Sequence, residues 1–221
     1  MQNNIILSTL QVTGPDSVAF LQGQLTCDVT EIREVPSFGA YCDPRGRVIA
    51  NFKIQKIDDA FYIVLPESMI DLLWQRLKKF VLFSKVTLAK QARSLHHSIE
   101  NDKLTLIKQG IAFIYPETSG LFTPQMINWE KHGGVSFTKG CYVGQEVVAR
   151  TQHLGKLKRH LHTFIFEGDS ASVLLFPGAD LMNAEQQPVG IICDSAFEGH
   201  ALYVLAVVQD AVISLALKET K

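Results

Sequence analysis

The sequence has few cysteines, no long apolar run and almost no net charge, and each shortage excludes a class of protein. Its four cysteines form no C-x-x-C pair and show no zinc-ligand spacing, which argues against a disulfide scaffold or a structural zinc site. No apolar run approaches the roughly 18 residues that a membrane helix needs. The N-terminus has no basic region followed by an apolar one, so we expect no signal peptide. These absences predict a cytoplasmic protein with reduced thiols and no membrane partner.

The charges are balanced over the whole chain but not along it. A formal charge of -1 over 221 residues gives no general reason to bind nucleic acid or anionic lipid. The segment from Lys131 to Arg159 differs, because it carries six cations and one carboxylate. One basic segment without clustered aromatic residues is weak support for an RNA-binding module, so direct RNA binding is not expected.

The pattern of apolar residues predicts a mixed α+β fold. We expect strands over NIILSTLQV, VIANFKIQKI, AFYIVLP, HLHTFIFEG, PVGIICDSAF and ALYVLAVV, and shorter β pieces over KVTLAK, KLTLI and GIAFIYP. A helix is expected after Asp16 as its N-cap, and another over GQEVVARTQ. Polarity and basic charge peak near Gly155. We therefore predict a region over residues 1–155, either single or made of two interleaved subdomains, and a small β domain over residues 156–221.

The strongest helical pattern runs from Glu67 to Leu82. Its apolar residues recur at steps of three and four, so one face must be buried. We assign that face to the core and not to a cofactor site; it comprises Ile70, Leu73, Trp74, Leu77, Phe80 and Val81.

The stretch KGCYVGQE, Lys139 to Glu146, places a cysteine between two glycines and beside a lysine. A nearby cation and a helix beginning near Gly144 would both stabilise a thiolate, which is the nucleophilic and metal-binding form of cysteine. A structural thiol in a turn explains the same residues equally well. Cys27, Cys42 and Cys193 are expected to be small buried apolar residues. Two histidines in HLHTF are too few for a metal site, so no metal is expected.

SFTKGCYVGQEVVAR resembles the signature of the YgfZ family of folate-binding, iron–sulfur-linked proteins, which are related to the T-protein (aminomethyltransferase) of the glycine cleavage system. Further blocks are similar to the same family: LQVTGPDSVAFLQGQLTCDV, AYCDPRGRV, IVLPESMIDLLWQRLKKFVLFSKVTL and GLFTPQMINWEKHGG. The resemblance covers roughly residues 5–90 and 110–162. The central segment of this chain, between Leu88 and Gly110, is shorter than the corresponding segment in the family. The resemblance implies a T-protein-like folate-binding region of antiparallel sheets with helices, followed by a small C-terminal β-barrel-like domain.

The resemblance also implies a function. It implies a tetrahydrofolate-binding factor that assists assembly or repair of iron–sulfur enzymes and so supports tRNA modification indirectly; its partners would be folate and iron–sulfur client enzymes. The T-protein carboxylate that assists methylene transfer would fall on Ala50 or Asn51, and neither can act as a carboxylate. Aminomethyltransferase activity is therefore not expected. A folate-dependent one-carbon transferase is the alternative.

The resemblance also points to a set of site residues. Cys141 would be the reactive thiol or a transient cluster ligand. The folate-binding candidates are Lys139, Tyr142, Gln145, Arg150, Gln24 and Gln125. Lys139 and Arg150, with the cluster Lys156, Lys158 and Arg159, would hold the anionic glutamyl tail, because oriented cations suit carboxylates. The same cluster is also consistent with a solvated face.

Overall fold

The structure, a computed structural model, describes residues 4–91, 102–155, 157–167 and 175–211. Its helices and strands, in chain order, are β1 (Leu7–Thr13), α1 (Ser17–Gln22), β2 (Ser37–Cys42), β3 (Val48–Ile57), β4 (Ala60–Pro66), α2 (Glu67–Lys78), β5 (Thr87–Gln91), α3 (Lys103–Lys108), α4 (Gln145–Leu154), β6 (Arg159–Glu167), β7 (Asp180–Met182), β8 (Pro188–Glu198) and β9 (Ala201–Gln209). Three 3-10 turns cover Val29–Glu31, Val81–Phe83 and Pro124–Ile127. The mixed α+β architecture with antiparallel sheets agrees with the sequence prediction.

The first sheet has the strand order β2-β3-β4-β1-β5, and every neighbouring pair is antiparallel. Helix α2 packs on β1, β4 and β5 of this sheet. Its buried residues Met69, Ile70, Leu73 and Leu77 lie at steps of one, three and four, which places them on one helical face. This sheet and α2 form the main apolar core.

The second sheet has the order β6-β9-β8-β7, again antiparallel. Strand β9 is apolar on both faces: Leu205 and Val207 join the main core, whereas Val204, Ala206 and Val208 join a second core on the opposite face. Two buried faces explain why ALYVLAVV has no polar alternation. Among the described residues no pairing joins β6 to β7, so the predicted barrel-like closure is not confirmed. The domain boundary near Gly155 stays a prediction.

The prediction of a strand over KLTLI was wrong, because these residues begin helix α3. The carboxylate of Asp102 accepts from the backbone N–H of Thr105 at 2.8 Å and caps the helix. A short apolar run does not distinguish a strand from a helix by its period. The cap and the packing of Leu106 and Ile107 in the core decide the matter.

GIAFIYP is not a strand either. The side chain of Asn51 in β3 donates to the carbonyl of Ala112 at 2.8 Å and accepts from the N–H of Ile114 at 2.7 Å. A buried side chain therefore satisfies backbone groups that a neighbouring strand would otherwise bind. Residues 111–114 are buried without belonging to either sheet.

Two details of the predicted helices also need correction. Helix α2 ends at Lys78, and Phe80 is 45% exposed instead of in the core, while Trp74 and Val81 are partly buried against it. Asp16 occupies the N-cap position of α1 but makes no side-chain cap bond. Its carboxylate instead accepts from the N–H of Lys85 at 2.7 Å, which ties the start of α1 to the segment before β5.

Candidate functional site

Lys139 anchors the KGCYVGQE loop in the body of the protein. Its ammonium donates to the carbonyl oxygens of Leu25 and Cys27, each at 2.8 Å. The residue is buried, and burial lowers its pKa to about 8. The ammonium also lies 5.2 Å from the centre of the Tyr142 ring, within the range of a cation–π interaction. This lysine therefore fastens the loop to the LQGQLTCD segment.

Gly144 lets the same loop pack on a second segment. Its φ of 83° is in the left-handed region, which favours glycine. A Cβ at this position would collide with the carbonyl oxygen of Asp43 and crowd Gly46. The turn from Asp43 to Arg47 is closed by the Asp43 carboxylate, which accepts from the N–H groups of Arg45 and Arg47, both at 2.9 Å. A glycine at 144 is thus required by conformation and by close approach.

Helix α4 joins the loop to a third segment. The side-chain amide of Gln125 donates to the carbonyl of Val148 in α4 at 2.7 Å. At the start of α4 the Gln145 amide donates to the carbonyl of Lys139 at 3.5 Å. The motif is therefore held by residues from several of the sequence blocks that carry the family resemblance.

Three of the predicted folate-binding residues have buried polar atoms that no described residue satisfies. These atoms are the side-chain oxygens of Gln24 and Gln125 and the hydroxyl of Tyr142. Burial raises the pKa of Tyr142 well above its ordinary value, so the hydroxyl keeps its proton at neutral pH. Buried polar atoms without partners are uncommon in folded proteins. No described residue supplies their missing hydrogen-bond partners.

Cys141 is exposed, and the other three cysteines are buried. Burial raises the pKa of Cys27 to about 11, and it raises the pKa values of Cys42 and Cys193 as well. The expectation that these three are small buried residues is confirmed. The ammonium of Lys139, however, donates to two carbonyl oxygens. Its contacts therefore do not show the stabilisation of a Cys141 thiolate that the sequence led us to expect.

Arg150 lies on the exposed side of α4, with 61% of its side chain accessible and a guanidinium nitrogen 4.0 Å from the Glu146 carboxylate. Lys158 and Arg159 are exposed at the start of β6. Lys156 of the same predicted cluster lies outside the described residues.

A pocket of about 340 Å³, the junction pocket, lies where the second sheet meets the turn before β3 and residues 121–126. Its lining residues come from five separated stretches of chain: Arg47, Leu121, Phe122, Met126, Lys158, Arg159, Ile191 and Val207. Sequence reasoning considered Lys158 and Arg159 but missed Arg47. No local spacing signals such a pocket, because its walls meet only after the C-terminal sheet packs on the body.

Several known proteins resemble this chain in sequence. The tRNA-modifying protein YgfZ of Colwellia psychrerythraea is 32% identical, in an alignment that covers 69% of this chain and 67% of the relative. The tRNA-modifying protein YgfZ of Escherichia coli O45:K1 is 30% identical, with 77% and 72% covered. The chain belongs to the YgfZ family. The protein of the same name from Klebsiella pneumoniae is 29% identical over 69% of this chain. No family model matches the sequence.

The fold of this chain is similar to that of a solved T-protein. Glycine cleavage system aminomethyltransferase T from Bartonella henselae superposes with a TM-score of 0.59, covering 93% of this chain and 76% of that protein at 12% identity. This likeness concerns the fold alone. At the positions that the resemblance assigns to the T-protein carboxylate, Ala50 and Asn51 are fully buried. Both functional groups of the Asn51 amide hold the 112–114 segment, so this residue is structural.

Two further classes of site have no support in the described residues. Within residues 4–91, 102–155, 157–167 and 175–211, no group of three His, Cys, Asp or Glu side chains is arranged to hold a metal ion. No helix in the same ranges is long and apolar enough to cross a membrane. The structure thus brings Lys139, Tyr142, Gln145 and Gln125 around one loop of this YgfZ-family chain and leaves Arg150 on its exposed side.

Proposed function

We propose that this protein binds tetrahydrofolate and assists assembly or repair of iron–sulfur enzymes in the cytoplasm, and that it supports tRNA modification indirectly. The observation that carries the proposal is the position of Cys141: an exposed thiol on a loop whose neighbours Lys139, Tyr142 and Gly144 are fixed by the body. A fixed loop presents the thiol to a partner without loss of conformational entropy on binding. The names of the YgfZ relatives support the link to tRNA modification.

The unsatisfied atoms near the loop fit a folate. A pterin ring has N–H donors and ring acceptors along one edge, and it would satisfy the oxygens of Gln24 and Gln125 and the Tyr142 hydroxyl. Gln145 would help to orient the loop, because its side-chain amide donates to the Lys139 carbonyl. The cations Arg150, Lys158 and Arg159 would meet the glutamyl carboxylates. Lys139 contributes by positioning the loop, since its ammonium already has two acceptors.

The chemistry proposed for Cys141 follows from its exposure. A thiolate is both the nucleophilic and the metal-binding form of cysteine. An exposed thiol on a fixed loop can reach a cluster or a damaged group on the surface of a client enzyme. The buried thiols of Cys27, Cys42 and Cys193 cannot do so while the protein is folded. Folate bound beside the loop would provide one-carbon chemistry or hold the loop in shape.

The alternative is a folate-dependent one-carbon transferase, and the T-protein fold is the observation in its favour. That activity would need a carboxylate where this chain has Ala50 and Asn51. We therefore expect binding of tetrahydrofolate without aminomethyl transfer.

Equilibrium binding of tetrahydrofolate under anaerobic conditions tests the folate part of the proposal. We expect wild type and Cys141→Ser to bind equally, and Tyr142→Phe to bind more weakly by roughly three- to tenfold, because one buried hydrogen bond is lost. Val143→Ala is the matched control within the loop. Absence of binding to wild type would remove folate from the proposal. Turnover of an aminomethylated carrier protein would favour the transferase instead.

Complementation tests the iron–sulfur part. In a strain that lacks its own YgfZ-family protein, we expect the wild-type chain to restore the activity of iron–sulfur enzymes and Cys141→Ser to fail at equal protein level. Cys27→Ser is less suitable as a control, because it alters a buried residue. Full restoration by Cys141→Ser would rule out the role assigned to the thiol.

A further inference from the structure

The junction pocket combines apolar walls with three cationic side chains. Arg47 comes from the turn that packs on Gly144, Lys158 and Arg159 begin β6, and the walls are formed by Leu121, Phe122, Met126, Ile191 and Val207. Its volume of about 340 Å³ is within the range of small-molecule sites, about 300–1,000 Å³. None of the described residues that line it is acidic. The lining is therefore complementary to carboxylates carried on a chain whose methylene groups can pack on apolar walls.

The three cations are not engaged by carboxylates. One guanidinium nitrogen of Arg47 donates to the carbonyl of Leu121 at 2.7 Å and lies 3.7 Å from the sulfur of Met126. This contact fixes the guanidinium at the wall, while its other N–H groups have no hydrogen-bond partner among the described residues. No ion pair among those residues involves Arg47, Lys158 or Arg159. An exposed run of charges explains the neighbouring cations Lys158 and Arg159. It does not explain why Arg47, 111 residues before Lys158 in the chain, lines the same pocket.

The pocket is also coupled to the Cys141 loop. Gly46 precedes Arg47, and a Cβ on Gly46 would meet the Val147 side chain at 3.0 Å and the carbonyl oxygen of Gly144 at 3.3 Å. The turn that carries Arg47 therefore contacts the start of α4 and also lines the pocket. Met126 lines the pocket as well, and its neighbour Gln125 holds α4. The pocket thus adjoins the segments that hold the motif loop.

We propose that the junction pocket binds the carboxylates of an oligoglutamyl tail, so that the protein selects folates by tail length. This inference rests on the proposed function. Lys158 and Arg159 at the exposed mouth meet the outer carboxylates, and Arg47 meets the inner one. Successive carboxylates along a flexible tail match cations that lie at different depths. A phosphate-bearing molecule has the same charge chemistry, and the experiment distinguishes it.

The test compares binding of tetrahydrofolate with one and with three glutamates at low ionic strength. We expect the triglutamate to bind roughly three- to tenfold more tightly to wild type, because partly exposed ion pairs add modestly to affinity. The double variant Lys158→Gln/Arg159→Gln should lose this advantage, because its affinity for the triglutamate falls more than its affinity for the monoglutamate. Added salt should also reduce the advantage, since exposed charges are screened.

The control is Lys79→Gln/Lys85→Gln, which makes the same change in net charge at exposed lysines far from the lining. It should keep the preference for the triglutamate. Equal binding of both folates to wild type, or an equal loss in the control, would overturn the inference while leaving the proposed function intact. No binding of either folate would overturn both. Inorganic tripolyphosphate is added as a competitor. Loss of the triglutamate advantage, with a smaller effect on the monoglutamate, supports a tail site. Tighter binding of tripolyphosphate alone than of the triglutamate identifies a phosphate site instead.

Discussion

The ammonium of Lys139 donates to the backbone carbonyl of Cys27 at 2.8 Å, across 112 positions in the chain. The first residue of the motif is thus part of the structural support, and the residue two positions later, Cys141, is exposed. One short sequence therefore contains both a structural anchor and an exposed thiol. The lysine holds the loop, and the cysteine is exposed to solvent.

Replacing Lys139 by Met should lower the free energy of unfolding by about 2–4 kcal/mol, because two buried carbonyl oxygens lose their donor. Urea denaturation followed by circular dichroism measures the change. Lys79→Met, at an exposed lysine, should change stability by less than about 0.5 kcal/mol. If both variants are equally stable, the Lys139 contacts do not hold the loop.

One thiol should react quickly with a disulfide reagent in the native protein, because Cys141 is the exposed cysteine of the four. Titration with Ellman's reagent should give one fast equivalent for wild type, none for Cys141→Ser, and four after unfolding of wild type. Two or more fast equivalents would mean that a buried cysteine is accessible.

Asn51→Asp should destabilise the protein without creating a transferase. When ionised, the variant cannot donate to the carbonyl of Ala112, which Asn51 bonds at 2.8 Å, and it places a carboxylate at a fully buried position. We expect a loss of about 2–4 kcal/mol. Burial raises a carboxyl pKa, so the unfolded chain binds fewer protons above about pH 4 and the loss is greater at pH 8 than at pH 5.

The matched change is Asn183→Asp. The side-chain oxygen of Asn183 accepts from the N–H groups of Glu185 and Gln187, at 3.0 and 2.9 Å, and an aspartate can do the same. Urea denaturation at both pH values should show a small effect for this control. A small effect for Asn51→Asp as well would contradict the structural role of Asn51.

Asp194 links the C-terminal sheet to the body. Its carboxylate is 2.7 Å from the ammonium of Lys103 and accepts from the Tyr115 hydroxyl at 2.8 Å, with 4% of its side chain exposed. Asp194→Asn should lower the free energy of unfolding by roughly 2–4 kcal/mol, because it leaves a partly buried ammonium without a partner charge.

Asp71→Asn is the control, since it removes an ion pair with Lys90 that has a similar distance, 2.6 Å, but is largely exposed. It should cost less than about 1 kcal/mol. The same denaturation assay compares the two. Equal costs would mean that the Asp194 cluster does not fasten the sheet to the body.

Alkaline pH should weaken the fold in part through Cys27. Burial raises the pKa of this thiol from 9.0 to about 11, so between these values the unfolded chain binds fewer protons and the free energy of unfolding falls as pH rises. Cys27→Ala should make that fall shallower, by up to roughly 2–3 kcal/mol at about pH 11. Lys139, with its pKa lowered to about 8, contributes the opposite slope in both proteins. In Cys141→Ala the free energy of unfolding should fall with pH as it does in wild type. An equally shallow fall in Cys141→Ala and Cys27→Ala would mean that the effect is not specific to Cys27.

The sequence predicted long, regular elements better than short ones. The long strands β3, β8 and β9 and the helix α2 have enough residues for a period to be recognised. KLTLI and GIAFIYP were misassigned, because five to seven apolar residues fit a strand, a helix or a buried loop. Asp102 and Asn51, both outside those runs, decide their conformations. The candidate site shows the same limit: the motif was recognised, but the two carbonyls that hold Lys139 lie more than 110 residues away.

By itself the sequence determined the family and the α+β class and made Cys141 a candidate site residue, because these depend on local pattern and on ordered motifs along the chain. The tertiary structure alone decided that Lys139 is a buried anchor, that Asn51 is a structural amide, and that Arg47 meets Lys158 and Arg159 at one pocket. Burial, hydrogen-bond partners and pocket walls depend on which distant segments pack together, and that information is not contained in the spacing of neighbouring residues.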